Sequence, residues 1–229
     1  YTDNKKLDYN KYELIVTSPG FKPNHLIYNN DINKITEFEL GYEIHCDSKW
    51  IAITGSNGKT TTTSLLGMIY KYTVGNIGIP TTSLPDYIEY DETIIAEVSS
   101  AQLLINNNFK PHICVILNIT PNHINFHNSF EEYKNTKLKI VEKQDDNDFV
   151  LLPYLDWAIN LKCRSIKIYF GLKLDLNCCY IENNKAYLKL SGSKKEIFEL
   201  KKTKLVGSHN ILNILVAGTI AYLDKKTTK

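Results

Sequence analysis

Trp50-Ile51-Ala52-Ile53-Thr54-Gly55-Ser56-Asn57-Gly58-Lys59-Thr60-Thr61-Thr62-Thr63-Ser64-Leu65-Leu66 reads as a buried strand, a glycine turn and the opening of a helix. A short continuous apolar run ending in a glycine turn marks a strand covered on both faces, the kind that parallel sheets contain. Lysine and threonine directly after the second glycine give this turn a chemistry. Backbone amides of the turn and of the helix N-terminus would cradle phosphates, Lys59 would reach the β- and γ-phosphates, and the Thr60 hydroxyl would ligate magnesium. The candidate nucleotide contacts are therefore Gly55, Ser56, Asn57, Gly58, Lys59, Thr60 and Thr61. Ile53 stands where the longer form of the pattern has its first glycine, so the motif present is the shorter G-x-x-G-K-T.

Working outward, β-branched apolar runs recur at Leu14 to Val16, Ile94 to Ala96, Ile113 to Ile116, Phe149 to Leu152 and Ile166 to Phe170, several of them separated by helix-like segments. That alternation predicts an α/β fold with a mostly parallel sheet flanked by helices. After Gly171 the texture changes: Cys179 to Glu182, the turn-like Asn183-Asn184 and Ala186 to Leu190 read as a hairpin, with a further strand at Glu196 to Leu200. A small antiparallel patch on the main sheet follows from this. Ile211, Leu212, Leu215, Ile220 and Leu223 mark a closing helix over His209 to Leu223.

Composition narrows the classes. The chain of 229 residues is 43% hydrophobic with a net charge of +2, which excludes a disordered tail or a fibre. No run approaches the roughly 18 apolar residues of a membrane span, and the near-neutral balance leaves no electrostatic footprint for nucleic acid or anionic lipid. A small ligand is the expected partner. The opening Tyr1-Thr2-Asp3 and a single methionine, Met68, inside a helix-like segment predict a piece of a longer product; the polar Asp3-Asn4-Lys5-Lys6 lacks the apolar core of a signal peptide. Cys46, Cys114, Cys163, Cys178 and Cys179 form no C-x-x-C pair, which suits a reducing cytoplasm and structural roles.

Four segments beyond the turn carry further candidates. Gly75-Asn76-Ile77-Gly78-Ile79-Pro80 is a glycine-bracketed turn, by itself most simply a loop. Glu97-Val98-Ser99-Ser100-Ala101-Gln102-Leu103 places a carboxylate at the carboxyl end of a strand, the edge where parallel sheets bind ligands, and it also reads as a helix start capped by Ser99 or Ser100. Leu117 to His127 follows another strand, so that His123 falls on the same edge, and the next segment puts Phe130, Tyr133, Lys137 and Ile140 at helical spacing. A lysine on that inner stripe is unusual, and snorkelling at the core's rim would explain it without any chemistry. Last, in Gly207-Ser208-His209-Asn210-Ile211-Leu212-Asn213, Asn210 and Asn213 share a helix face and could read an adenine, or Asn210 could cap the helix.

In this order the segments resemble the Mur ligase family, over most of the chain. Gly55 to Thr60 is similar to the family's ATP loop, Asn118 to His127 to its T-x-D-H-L-D-x-H segment, and His209-Asn210-x-x-Asn213 to H-N-x-x-N; Lys137 sits where the family carries a modified lysine. Gly75 to Pro80 and Glu97-x-Ser99-Ser100-x-Gln102-Leu103 resemble the branch that adds D-glutamate. The resemblance implies residues 1–46 as part of a Rossmann-like N-terminal domain that binds the UDP substrate, and 47–229 as a P-loop central domain. It further implies a monomeric cytoplasmic ligase of peptidoglycan precursor synthesis. That enzyme would spend ATP to join D-glutamate to UDP-N-acetylmuramoyl-L-alanine through an acyl phosphate. Magnesium would occupy two sites, one at Thr60 and Glu97 and another near His123 and Lys137, the lysine being carbamylated. Lys59, Glu97, His123 and Lys137 would carry catalysis, Asn76 and Ser99 would contact the muramoyl substrate, and Asn210 and Asn213 would lie towards the adenine.

The sequence also departs from the family. Asn122 and Asn125 stand where the family has aspartates, and only Lys71 to Val74 separate the helix after the phosphate loop from Gly75, as if a helix turn and part of a strand were missing. The implied domain set is incomplete, so this chain alone is expected not to turn over. Other readings share the residues: a sister Mur ligase or folylpolyglutamate synthase relative, or a nucleotide-binding remnant without catalysis. A generic P-loop kinase or GTPase leaves Lys137 and the two asparagines unexplained.

Overall fold

The computed structural model describes residues 11–22, 25–28, 31–122, 126–200 and 207–225. Leu14–Thr17 (β1) and Asn33–Thr36 (β2) pair in parallel as a small separate sheet, and the chain runs from β2 straight into Glu37–Ile44 (α1). Lys49–Thr54 (β3) then leads through the glycine turn into Lys59–Gly67 (α2), followed by Tyr72–Gly75 (β4), Thr93–Glu97 (β5), Ile113–Ile116 (β6) and Phe130–Leu138 (α3). Phe149–Pro153 (β7), Asp156–Ile159 (α4), Ile166–Phe170 (β8), Cys178–Glu182 (β9), Lys185–Leu190 (β10), Ser193–Glu199 (β11) and Ser208–Leu223 (α5) complete the order.

Among the described residues, nine strands form one sheet in the order β11-β10-β9-β8-β7-β6-β3-β5-β4. The pairs from β4 through β9 are parallel, and β9-β10 and β10-β11 are antiparallel, as the change in texture after Gly171 leads one to expect. Asn183 and Asn184 both have positive φ, 52° and 61°, the backbone of a two-residue hairpin turn whose twist matches the flanking strands. Ser191 and Gly192 repeat the device, so β11 starts at Ser193, earlier than the apolar pattern alone suggests.

Period-two alternation divides the core between the two faces of the sheet. Trp50, Ala52, Ile94, Ala96, Cys114, Ile116, Val150 and Leu152 pack on one side with Phe38 and Tyr42 of α1, while Ile51, Ile53, Ile95, Val115, Leu151 and Ile168 pack on the other with Leu66 of α2 and Leu215, Val216 and Ile220 of α5. On the first side Phe38, Tyr42, Trp50 and Phe109 meet edge to face, with centroids 4.8 to 6.3 Å apart. Aromatic pairs prefer this geometry over a face-to-face stack.

Three expectations change. Lys71 to Val74 is not a mere linker: Tyr72 to Val74 belong with Gly75 to edge strand β4, registered Tyr72↔Ile94 to Gly75↔Glu97, and β-branched and aromatic residues suit its partly buried surface. No helix starts at Glu97. Ser99 and Gln102 do form a capping pair, but the chain makes only turns before Asn107 and Asn108, whose amides are taken by Glu39. In α5, Ile211 and Leu212 are both 37% exposed, because that end of the helix stands at the rim of the sheet rather than over its core.

Candidate active site

The carboxyl ends of β3, β5 and β6 share one rim, and the glycine turn after β3 rises from it. Gly58, the residue before α2, has φ +84°, and a Cβ there would lie 2.9 Å from Oδ1 of Asn213. The left-handed backbone and the close neighbour both call for glycine. No side chain caps the first turn of α2, which leaves helix-start amides for an anion. The other end of the turn is stapled to the strand beside it. Ser56 N donates to Asn118 O (3.0 Å), Asn57 N donates to Asn118 Oδ1 (2.9 Å), and Asn118 Nδ2 donates to Asn57 O (3.0 Å). Lys59 Nζ donates to the carbonyls of Gly55 (2.9 Å) and Ser56 (3.2 Å), so it lies across the turn. Burial lowers its pKa and the Glu97 carboxylate partly restores it. Thr60 is exposed and Thr61 half-buried at the open end of the helix.

Glu97, 1% exposed, ends β5 at this rim. Its Oε1 accepts the Asn76 side-chain amide at 2.7 Å, and its Oε2 is buried with no hydrogen-bond partner among the described residues. Asn76 N also donates to Glu97 O at 2.8 Å. This double contact requires Gly75, whose φ is +94° and whose missing Cβ would collide with the Glu97 carbonyl. Ser99 is partly exposed, with its amide 2.8 Å and its hydroxyl 2.9 Å from Gln102 Oε1.

From α3 comes Lys137, 2% exposed, whose Nζ donates to Thr54 Oγ1 at 3.3 Å and lies 4.9 Å from the centroid of the Tyr133 ring. Desolvation, then the positive charge of Lys59, brings its pKa down to about 7. Tyr133 also joins this helix to the glycine turn, its hydroxyl 3.0 Å from Ser56 Oγ. One turn of chain earlier, His127 is fully buried with Nε2 2.8 Å from Ser100 Oγ. Asn213 of α5 is buried against Gly58, and Asn210 lies in the first turn of the same helix with its amide donating to Gly207 O at 3.1 Å.

The structure thus gathers Gly55 to Thr61, Asn76, Glu97, Lys137 and Asn213 at one end of the sheet. His123 and Asn125 lie outside the described residues. Among the described residues no three His, Cys, Asp or Glu side chains form a metal-binding group. Thr54, Asn118, Tyr133 and His127 were not among the site residues expected from the sequence, although Tyr133 was placed on the inner stripe of its helix and Asn118 and His127 delimit a matched segment. Asn118 carries a signal all the same, an asparagine two residues past the end of buried strand β6, on the edge where parallel sheets bind ligands.

The Mur ligase middle domain family matches residues 53–221. Among curated proteins, the UDP-N-acetylmuramoylalanine--D-glutamate ligase of Thermoanaerobacter sp. (strain X514) is 36% identical over 226 residues, covering 93% of this chain and 50% of the relative. The protein of the same name from Clostridioides difficile (strain 630) is 34% identical, covering 95% of this chain and 51% of its own. The chain spans about half the length of the curated relatives it matches. Among solved structures, the MurF ligase from Thermotoga maritima in complex with ADP superposes with a TM-score of 0.58 at 17% identity, over 94% of this chain and 60% of that one. The UDP-N-acetylmuramate:L-alanyl-gamma-D-glutamyl-meso-diaminopimelate ligase from Neisseria meningitides gives 0.59 at 15%, over 95% and 75%. At such identities the two structures speak for the fold.

Proposed function

The chain belongs to the Mur ligase family, and we propose that the protein is an ATP-dependent ligase that joins D-glutamate to UDP-N-acetylmuramoyl-L-alanine in peptidoglycan precursor synthesis. The observation that supports it best is the convergence on one rim of an uncapped helix start behind Lys59, the buried carboxylate Glu97 and the buried Lys137. In the proposed reaction the alanyl carboxylate attacks the γ-phosphorus of ATP, ADP leaves, and the D-glutamate amine displaces phosphate from the acyl phosphate. Two anions meet in the first step, so the chemistry is mainly positioning and charge neutralisation.

Lys59 and the first amides of α2 hold the phosphates, and Asn118 and Tyr133 keep the turn that presents them in shape. The orphaned Glu97 Oε2 and the exposed Thr60 hydroxyl fit a magnesium ion, which when bound would neutralise charge between the β- and γ-phosphates. Lys137 as an ammonium would repel a second cation. With its pKa near 7 much of it is neutral amine at neutral pH, the form that adds to carbon dioxide with release of a proton. The product is a carboxylate in place of a cation, and with His123 it would furnish a second magnesium site. Asn76 and Ser99 are proposed to face the muramoyl substrate, and Asn210 and Asn213 the adenine. Residues 1–46 are proposed as part of the UDP-substrate domain and 47–229 as the central domain, in a monomeric cytoplasmic enzyme, with this chain alone inactive.

The test is phosphate release from Mg-ATP by the full-length protein that carries this chain, with UDP-N-acetylmuramoyl-L-alanine and D-glutamate, L-glutamate, L-lysine or meso-diaminopimelate. Strict dependence on D-glutamate, lost in Lys59→Ala, is the expected result. Dependence on another amino acid would move the protein to a sister ligase. A second reading, nucleotide binding without ligation, draws on Asn122 and Asn125 replacing carboxylates and predicts ATP binding with no amino-acid-dependent release.

A further inference from the structure

Helix α1 reaches from the small β1-β2 sheet to both loops that flank Glu97. Thr36, its N-cap, accepts from Glu39 N at 3.1 Å and places its hydroxyl 3.4 Å from Gln102 O, in the loop that follows β5. Glu39 accepts the amides of Asn107 (2.7 Å) and Asn108 (2.6 Å) farther along that loop. Glu37 grips the other loop, the one that follows β4. Its Oε1 accepts from Thr82 N (2.8 Å) and Thr82 Oγ1 (2.8 Å), and the Thr81 hydroxyl lies 3.0 Å from Glu37 Oε1, 3.1 Å from Glu37 O and 3.2 Å from Phe38 O. Thr81 is fully buried, and Gly41 lets α1 press so close that a Cβ there would overlap it.

Between the β4 register and this grip lies the turn that carries Asn76. At its near end Gly75 pairs with Glu97 and its amide donates to Ile79 O at 2.6 Å; at its far end Pro80 leads directly into Thr81. A turn pinned at both ends has few ways to move the residues between, so the Asn76 side-chain amide stays on Glu97 Oε1 and leaves Oε2 without a partner among the described residues.

We propose that Glu37 is a positioning residue: by holding Thr81 and Thr82 it fixes the Gly75-Pro80 turn, so that Asn76 orients the Glu97 carboxylate for the metal that accompanies ATP. This rests on the reading of Glu97 as a metal ligand given above. Because β2 runs into α1 without a linker, the same grip ties the placement of the N-terminal segment to the carboxylate 60 residues further along the chain.

The test is calorimetric titration of ATP into the chain, in excess magnesium and in excess EDTA, for wild type, Glu37→Ala, Glu37→Gln, Asn76→Ala and the double variant, with a thermal melt of each. In wild type magnesium tightens binding. Glu37→Ala is expected to lose about fivefold or more of that tightening while binding in EDTA holds, and Glu37→Gln, which keeps the acceptor oxygen, restores it. In the Asn76→Ala background Glu37→Ala should add nothing. Equal weakening with and without magnesium, full additivity, or a Glu37→Ala titration like wild type would each overturn the inference and leave the proposed function standing. A wild-type chain that binds ATP equally well with and without magnesium would overturn the inference together with the reading of Glu97 on which it rests.

Discussion

Lys137 Nζ meets the Thr54 hydroxyl at 3.3 Å, and among the described residues no carboxylate pairs with it. A buried ammonium with only a hydroxyl at 3.3 Å and the Tyr133 ring beside it is costly, and its folded pKa of about 7 lies well below that of an unfolded lysine. When a lysine's pKa is lowered by folding, the unfolded chain binds the extra proton between the two values. Stability therefore rises with pH from about 7 to about 10, and the full penalty stands below 7. Lys137→Met, in buffers free of carbon dioxide, is expected to be more stable than wild type by about 2 kcal/mol at pH 6, with the gain fading towards pH 10. Urea unfolding at a series of pH values checks this; a pH-independent difference would mean that Lys137 is not the titrating group.

Gly58 is constrained twice, by its φ of +84° and by Asn213 Oδ1, which would lie only 2.9 Å from a Cβ added there. A left-handed non-glycine residue costs roughly 1 to 2 kcal/mol, and the neighbouring amide would have to move as well. Gly58→Ala should weaken ATP binding by about tenfold or more, since about 1.4 kcal/mol corresponds to one decade. Adding Asn213→Ala should relieve the steric part of the stability loss and leave the backbone part. A Gly58→Ala chain with unchanged affinity would show that the turn tolerates another backbone shape.

Gly218 lies inside α5, where alanine would ordinarily add about 1 kcal/mol through helix propensity. Here the Phe198 ring of β11 sits where the new Cβ would go, and three of its ring carbons crowd that point. Overpacking of that kind costs about 1 to 3 kcal/mol, so the steric effect wins. Gly218→Ala is expected to lower the melting temperature, and Phe198→Leu to recover part of the loss. A rise in melting temperature for the single variant would refute the close approach of β11 to α5.

Asp224, at the other end of α5, accepts from Tyr70 OH (3.1 Å) and Thr93 Oγ1 (2.9 Å) and lies 3.1 Å from His112 Nε2. Burial by itself would raise its pKa, but the hydrogen bonds from His112, Thr93 and Tyr70 outweigh it and hold the carboxyl below the usual range. A depressed carboxylate adds stability that is complete above its unfolded pKa near 4 and is lost as the pH falls through the folded value. Asp224→Asn should therefore cost about 1 to 3 kcal/mol at pH 7 and progressively less below pH 4. The same deficit at pH 3 and pH 7 would remove the carboxylate from the acid limb of the stability curve.

The pattern of residues carried much of the architecture because its signals are local. Ile51 and Ile53 against Ala52 and Trp50 divide by periodicity alone, and Asn183-Asn184 names its own turn, since both residues tolerate positive φ. Glycine, lysine and threonine after β3 likewise mark a candidate anion site, because a helix start leaves backbone amides without partners. Tyr72 to Gly75 was opaque for the opposite reason: four residues become an edge strand only when β5 is there to pair with them. Tyr133 was legible as an inner-stripe aromatic, while its hydroxyl on Ser56 was not, because the two residues are 77 apart in the chain.

Sequence by itself thus determined the sheet's parallel centre, its antiparallel flank and the glycine turn, all of which rest on spacing between near neighbours, while the family came from the resemblance of motifs spread from Gly55 to Asn213. Only the tertiary structure decided that Asn76 holds one oxygen of Glu97, that Glu37 grips the turn carrying Asn76, and that burial beside Lys59 brings Lys137 to a pKa of about 7. Those are distances and desolvation between distant segments, and they exist only once the chain has closed upon itself.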